Sequence, residues 1–394
     1  MEVSSKIEIT IADIFRAGIS EYCRNHKLSN QQRKVVGHII NCQTPALGRH
    51  KVSCTNKDCS YEVIQNNSCR DRHCNKCYKS KKLKWILSRS KELLPISYYH
   101  VITTLPHELC NLAICNKEII YDIFFKSVFY VINLFASNEK HLGGKVGFYA
   151  ILHTWGQTLS YHPHLHIIVT AGGLKGDRFV SLPYQNKFLF PVKAMSMKIR
   201  ERFVELLKEA KASDQLKFPE QLSYLSSEAE FTEYLKEIGR KNWVVYSKPP
   251  FSNPETVLDY FSRYTHRVAI SNSRILSMEE GKVTFNYKDY KDTDEKGIPK
   301  IKQMSLPGGE FVQRFLWHIL PKGFRKIRYG GIFSSGIKKS SIKTIREIFE
   351  EKLEYIEHKI EGVYEKLRIY VEHICPLCEK GTLLFNYEIL INTS

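Results

Sequence analysis

Apolar residues fall at helical spacing through Ile11, Ile14, Phe15, Ile19 and Tyr22, which predicts one or two helices across 11–42, broken at Leu28-Ser29-Asn30. A basic helix follows over 78–94 and stops at Pro95. Runs rich in Val, Ile, Tyr and Phe then predict strands at 98–105, 145–154 and 164–170, with an apolar helix over 116–136 between the first two and a turn at Gly172-Gly173. The segment 195–239 reads as polar-faced helix, with Ile199, Phe203, Leu206 and Leu207 on one side. A strand at 243–247, a short helix at 257–264 and a strand at 267–276 complete the pattern. Beyond 340 it changes: Ile342, Ile345, Phe349, Leu353, Ile356, Ile360, Val363, Leu367 and Tyr370 form a heptad-like seam. Strands alternating with helices over 96–280 predict an α/β or α+β core between a cysteine-rich N-terminal part and a helical tail.

Composition adds a partner class. Lys+Arg of 59 against Asp+Glu of 41 leaves +18 in 394 residues, with a pI near 9.3. Hydrophobic residues make up 43%, so a folded protein with a polyanionic partner is expected, not a basic disordered tail. The greasiest stretch, 128–136, is too short to span a bilayer and contains Asn133, and the opening MEVSSKIEIT lacks the pattern of a secretory signal. No membrane partner and a cytoplasmic location are therefore expected. With eleven cysteines, seven of them between Cys23 and Cys77, metal binding outranks disulfides.

Cys54 and Cys59 form one close pair and Cys74 and Cys77 a second, and two such pairs can fold over one tetrahedral Zn²⁺ with no open position. Cys42, His50, Cys69 and His73 offer a second, interleaved site. Cys375-Pro-Leu-Cys378 is half of another knuckle, with Cys110 and Cys115 as conceivable partners. In and after the second pair, Arg70, Arg72, Lys76, Lys79, Lys81 and Lys82 predict a surface for backbone phosphates.

Two further motifs carry chemistry. In His162-Pro-His164-Leu-His166 the strand period puts His164 and His166 on one face, about 6–7 Å apart, where both imidazoles can reach one divalent ion. His153 is the first choice for a third ligand, with Gln157 and His162 as alternatives. Tyr260 and Tyr264 stand one helical turn apart, near Arg263, His266 and Arg267. A tyrosine hydroxyl can attack a phosphodiester to form a covalent phosphotyrosine. The bland alternatives are core histidines and an ordinary aromatic pair.

In combination, the His-hydrophobe-His strand followed by Tyr260 and Tyr264 resembles the HUH endonucleases. The strings LHTWGQTLSYHPHLHIIV, VVYSKPPFSNPETVLDYFSRYTHRVAISNSRI and EFVQRFLWHILPKGFRKIRYGG, with the cysteine block NCQTPALGRHKVSC…NSCRDRHCNKC, are similar to rolling-circle transposases of the two-tyrosine group named for insertion sequence ninety-one. The likeness covers roughly residues 15–335. It implies an α+β fold: an HUH-like antiparallel sheet with flanking helices, a small N-terminal zinc-binding domain and a helical C-terminal tail. The domains would be 1–95, 96–335 with a helical insertion about 193–242, and 336–394. It also implies that His164 and His166 hold a catalytic Mg²⁺ or Mn²⁺ and that Tyr264 and Tyr260 are nucleophiles. The third histidine of related relaxases lies at a spacing like that of His153. The cysteine block would recognise DNA and hold structural Zn²⁺, and Arg263, His266 and Arg267 would contact DNA.

The implied partner is single-stranded DNA at element ends and target, acted on through a 5′-phosphotyrosine. Two features depart from the family: TNKD between Cys54 and Cys59, and Gly330-Gly331-Ile332-Phe333 after Tyr329. Competing readings are a plasmid relaxase or replication initiator with the same nicking chemistry, and a non-catalytic zinc-dependent DNA-binding regulator. The heptad-like seam could make a homodimer or pack on the catalytic part.

Overall fold

Reciprocal capping boxes open the first two helices: Thr10 with Asp13 starts α1 (Ile11–Asn25), and Ser29 with Gln32 starts α2 (Asn30–Asn41). The break expected at Leu28-Ser29-Asn30 is thus the cap of the second helix. The computed structural model describes residues 8–182, 189–251, 256–257, 267–354, 357–358, 361–362, 364–365 and 372–386. The remaining regular elements, in chain order, are β1 (Arg49–Cys54), β2 (Glu62–Asn66), α3 (Tyr78–Ser90), β3 (Tyr98–Thr104), α4 (Cys110–Cys115), α5 (Lys117–Ser137), β4 (Lys145–Trp155), β5 (Tyr161–Lys175), β6 (Arg178–Ser181), α6 (Val192–Ala212), α7 (Glu228–Arg240), β7 (Val245–Phe251), β8 (Ile275–Glu279), β9 (Lys282–Thr293), β10 (Pro299–Pro307), α8 (Gly308–Trp317), β11 (Ile327–Gly331), α9 (Lys338–Ile348) and β12 (Leu383–Asn386).

The fold is α+β with antiparallel sheets. A six-stranded sheet runs β11-β4-β5-β3-β7, with β6 paired to the far end of β5. Strand alternation sorts its side chains. Leu165, Ile167 and Val169 of β5, Tyr99 and Val101 of β3 and Ala150 and Leu152 of β4 point to one face, under α4, α5 and α6. That face carries the largest apolar core, in which Phe124 and Phe203 meet edge to face. On the opposite face, Tyr98, Tyr149 and Ile168 pack with Ile86, Leu94, Val257, Phe333 and Ile345 at one end. Toward the other end the same face carries His100, His153, His164 and His166 beside Ile102 and Ile151.

By length and composition α5 could cross a membrane, which the shorter stretch 128–136 did not suggest. Here it is the core helix over the sheet, and its Asp122 accepts from the Arg328 guanidinium at 2.6 Å.

The N-terminal helices join a second core. Ile11, Ile14, Phe15, Val35 and Ile39 pack with Val283 and Phe285 of the three-stranded meander β8-β9-β10 and with Phe311, Val312 and Phe315 of α8. The strand expected at 267–276 begins only at Ile275. Ala269 and Ile270 enter this core as irregular chain, and residues 272–274 form a 3₁₀ turn.

Of the expected seam, Ile345 is fully buried against the sheet, and α9 ends at Ile348 with Phe349 as its cap. Leu353 follows a short 3₁₀ turn, while Ile356, Ile360, Val363, Leu367 and Tyr370 lie outside the described residues.

The Gly330-Gly331-Ile332-Phe333 departure has a packing reason. Gly331 has φ +59°, and a Cβ there would stand 1.7 Å from the Val146 carbonyl oxygen; one on Gly330 would enter the Phe148 ring. Two glycines let the edge strand close on β4, and Phe333 then stacks on Tyr149 with ring centroids 4.5 Å apart.

Candidate active site and cysteine centres

Register assembles three histidines. His153 of β4 lies directly across from His164 of β5, and His166, two residues on, pairs with Ile151 on one side and Ile102 on the other. Their ring centroids are 5.5 Å (His153–His164), 4.8 Å (His153–His166) and 4.9 Å (His164–His166) apart. One nitrogen from each lies within 4.8 Å of the other two. The alternatives for the third position lie elsewhere: the Gln157 side chain accepts from the Lys288 amide at 3.4 Å, and the exposed His162 is outside the cluster.

Hydrogen bonds orient the rings. His164 Nδ1 donates to the His162 carbonyl at 2.7 Å, which leaves the lone pair on Nε2. His166 Nδ1 lies 3.2 Å from Nε2 of His100, a fully buried histidine on β3. Burial lowers all of these titrations. It brings His164 to about 4 and His100 to about 3, and it holds His166 well down with help from the neighbouring His153 and His164. Neutral imidazoles at pH 7 are the form that binds a divalent metal, so the donor set suits such an ion.

Tyr260, Tyr264, Arg263 and His266 lie outside the described residues; the residues flanking them do not. Val257 is buried against Tyr98, Tyr149 and Ile168 on the histidine-bearing face of the sheet. Arg267 is exposed, and its charge is among those that depress His166.

The cysteines group differently from expectation. Cys74 and Cys77 do not meet Cys54 and Cys59; they close with Cys42 and Cys69. Cys42 and Cys77 sulfurs are 3.4 Å apart and those of Cys69 and Cys77 3.6 Å, and amides of Cys69 and Asp71 donate to Cys42 and Cys69 sulfurs. Cys54 and Cys59 instead meet Cys375 and Cys378. The CPLC partners are therefore neither Cys110, buried near Tyr161, nor the exposed Cys115.

His50 and His73 stand in neither set. His73 Nδ1 donates to Asp71 at 2.9 Å while its Nε2 accepts the Leu320 amide at 3.2 Å, which occupies both nitrogens. His50 bonds Asn67 at 2.7 Å and packs near Phe385.

The basic residues divide in the same way. Arg72 is turned inward, donating to the carbonyls of Phe324 at 2.6 Å and Pro321 at 2.8 Å, so it pins the cysteine module to the 321–324 loop instead of facing phosphate. Lys76 reaches the Cys42 carbonyl at 3.1 Å, Arg70 is exposed, and Lys82 is half-buried on α3. Lys79 and Lys81 lie on α3, and their side chains are outside what is described.

Sequence reasoning missed His100, His318 and Lys326. His100 sits in an apolar-looking run, and only the β3–β5 pairing puts it on the histidine face. His318 Nε2 donates to the Leu159 carbonyl at 3.1 Å, below the loop that joins β4 to β5. Lys326 is buried beside Arg72, and burial brings its amine down to about 7.

This arrangement, three convergent imidazoles on one sheet face beside a cysteine module, can be set against known proteins. Residues 14–105 match a family described as "Transposase zinc-binding domain", and residues 147–341 match one described as "Putative transposase". The chain is 37% identical over 385 residues, covering 95% of it and 94% of the relative, to "Putative transposase y4qJ" of Sinorhizobium fredii.

The chain belongs to the IS91-type transposase family.

It is also 26% identical over 313 residues, 77% of this chain and 70% of the relative, to "Transposase for insertion sequence element IS801" of Pseudomonas savastanoi pv. phaseolicola. No solved structure matches it. Membership makes DNA the partner of this transposase, and the matched zinc-binding domain together with the cysteine clusters supports structural zinc.

Proposed function

We propose that this transposase nicks and rejoins single-stranded DNA at the ends of its element and at the target, with Tyr264 and Tyr260 as nucleophiles at the His153–His164–His166 face. The observation that carries this reading is the bracketing of the tyrosine segment. Val257 before it packs on the sheet face that bears the histidines, and Arg267 after it is near enough for its charge to depress His166. Three imidazoles within reach of one point would hold Mg²⁺ or Mn²⁺ through His164 Nε2 and its two neighbours. Bound there, the ion would supply Lewis-acid stabilisation of a phosphate oxygen.

The phenol oxygen of one tyrosine attacks phosphorus in line as its proton leaves. The bond from phosphorus to the 3′ oxygen breaks, and that oxygen takes up a proton. The product is a 5′-phosphotyrosine and a free 3′-hydroxyl. The second tyrosine repeats the step on target or element terminus, and each 3′-hydroxyl can reverse it, which joins strands without a double-strand break. Arg267, with Arg263 and His266, would neutralise the phosphate. Arg70, Lys76, Lys79, Lys81 and Lys82 would follow the DNA backbone. The reaction belongs to the cytoplasm, on nucleoid DNA, and a homodimer would let each copy hold one DNA end.

A labelled element-end oligonucleotide tests the reading. Wild-type protein with Mn²⁺ is expected to form a denaturation-resistant adduct. Tyr260→Phe/Tyr264→Phe should abolish the adduct and keep DNA binding, and His164→Ala should remove metal-dependent nicking. Adducts that persist without both tyrosines would overturn the assignment.

A further inference from the structure

Cys54 ends β1, Cys59 follows a tight turn, and Cys375 and Cys378 approach them from more than three hundred residues away in sequence. The four sulfurs lie within 4.8 Å of one another. Cys54 and Cys378 sulfurs are 3.6 Å apart, and those of Cys59 and Cys375 are 3.8 Å apart. Disulfides require about 2.05 Å. Two thiolates on a tetrahedral zinc with bonds of about 2.3 Å stand about 3.7 Å apart.

The backbone around the sulfurs is arranged in the same sense. The Asn56 amide donates to Cys54 sulfur at 3.3 Å and the Gly381 amide to Cys378 sulfur at 3.4 Å, each two or three residues beyond its cysteine. Gly381 lies so close that a Cβ on it would stand 2.5 Å from Cys54 sulfur. The loops are also joined directly, by the Thr55 amide to the Thr382 carbonyl and the Thr382 amide to Thr55 Oγ1, both at 2.9 Å. From there β12 adds to β1, with Leu383 across from Cys54 and Asn386 from Lys51.

Among the described residues, the small sheet made by β12, β1 and β2 has little apolar cover. Val52 is buried, but Ile64, Leu377 and Leu384 are each about 60% exposed. An apolar core this thin needs a staple.

We propose that Cys54, Cys59, Cys375 and Cys378 bind a second structural Zn²⁺, which closes the C-terminal segment onto the N-terminal cysteine module. Half of its ligands lie outside the matched zinc-binding domain, so that domain is complete only when the chain's C-terminal part is present. Four thiolates fill the coordination shell and leave no position for water, which makes the site a clamp and not a catalyst. TNKD between Cys54 and Cys59 is the longer knuckle that wraps this ion, where Cys74 and Cys77 form the shorter one of the first site.

The test uses the full chain in a His164→Ala background, so that the imidazoles do not contribute to the count. Two zinc ions per chain are expected by native mass spectrometry. Cys375→Ser/Cys378→Ser should hold one, and Cys378→His, which restores a ligand, should again hold two. Independently of any cysteine variant, iodoacetamide should label exposed Cys23 and Cys115 at once but reach Cys375 and Cys378 only after a chelator is added. Retention of two zinc ions by the double serine variant would sink the proposal. So would labelling of Cys375 and Cys378 before chelation, or one zinc ion per chain with Cys54, Cys59, Cys375 and Cys378 recovered as disulfides.

Discussion

His100 Nε2 lies 3.2 Å from His166 Nδ1, so a buried imidazole on β3 stands behind one of the three that converge on β4 and β5. A partner on the remote nitrogen fixes both the tautomer and the ring angle of a metal-binding histidine. His100→Phe keeps the bulk and removes that bond. Mn²⁺ affinity, titrated by calorimetry, is expected to fall roughly 10–100-fold, with His100→Gln falling less. Equal affinities for wild type and His100→Phe would show that the contact is packing alone.

Arg72 holds two carbonyls of the 321–324 loop from within the cysteine module. Arg72→Ala leaves both acceptors without their charged donor, and the expected loss of stability is about 2–4 kcal/mol. Urea denaturation measures it. A loss below about 0.5 kcal/mol, with DNA affinity sharply reduced, would return Arg72 to the phosphate-contacting surface.

Gly331 tolerates no side chain beside the Val146 carbonyl. Gly331→Ala should destabilise by several kcal/mol, because both the positive φ and the overlap must be relieved. Gly336, with nothing within reach of an added Cβ, is the control: Gly336→Ala should stay within about 1 kcal/mol of wild type. Similar melting temperatures for the two variants would contradict the packing of β11 on β4.

Lys326 titrates near 7 when folded, chiefly because burial disfavours its charge and secondarily because Arg72 is close. Its unfolded value is about 10.4. Between those values the unfolded chain binds a proton that the folded chain does not, so this group makes stability rise with pH and carries its full penalty below about 7. Lys326→Met should therefore stabilise the protein at pH 6 by on the order of a few kcal/mol, and the gain should shrink toward pH 10. Chemical denaturation at the two pH values checks the sign; a gain that grows with pH would be the wrong one.

Much of the local structure was legible because it rests on neighbours in the chain. The 98–105, 145–154 and 116–136 elements, the Ser29 break and the shared face of His164 and His166 all follow from strand and helix periods. What periods cannot supply is which strand lies beside which. His100 looked like one more residue of an apolar strand, and the sulfurs looked pairable by proximity in sequence.

By itself, then, the sequence determined the family, the α+β class, the basic charge and the residue types available for chemistry, since composition and short-range spacing decide these. Tertiary structure alone decided the partners. It set His153 across from His164, put His100 behind His166, turned Arg72 inward and joined Cys54 and Cys59 to Cys375 and Cys378. The physical reason is that long-range pairing is selected by the burial of whole faces, as when α5 covers one side of the sheet and leaves the histidines on the other, and no local pattern encodes that choice.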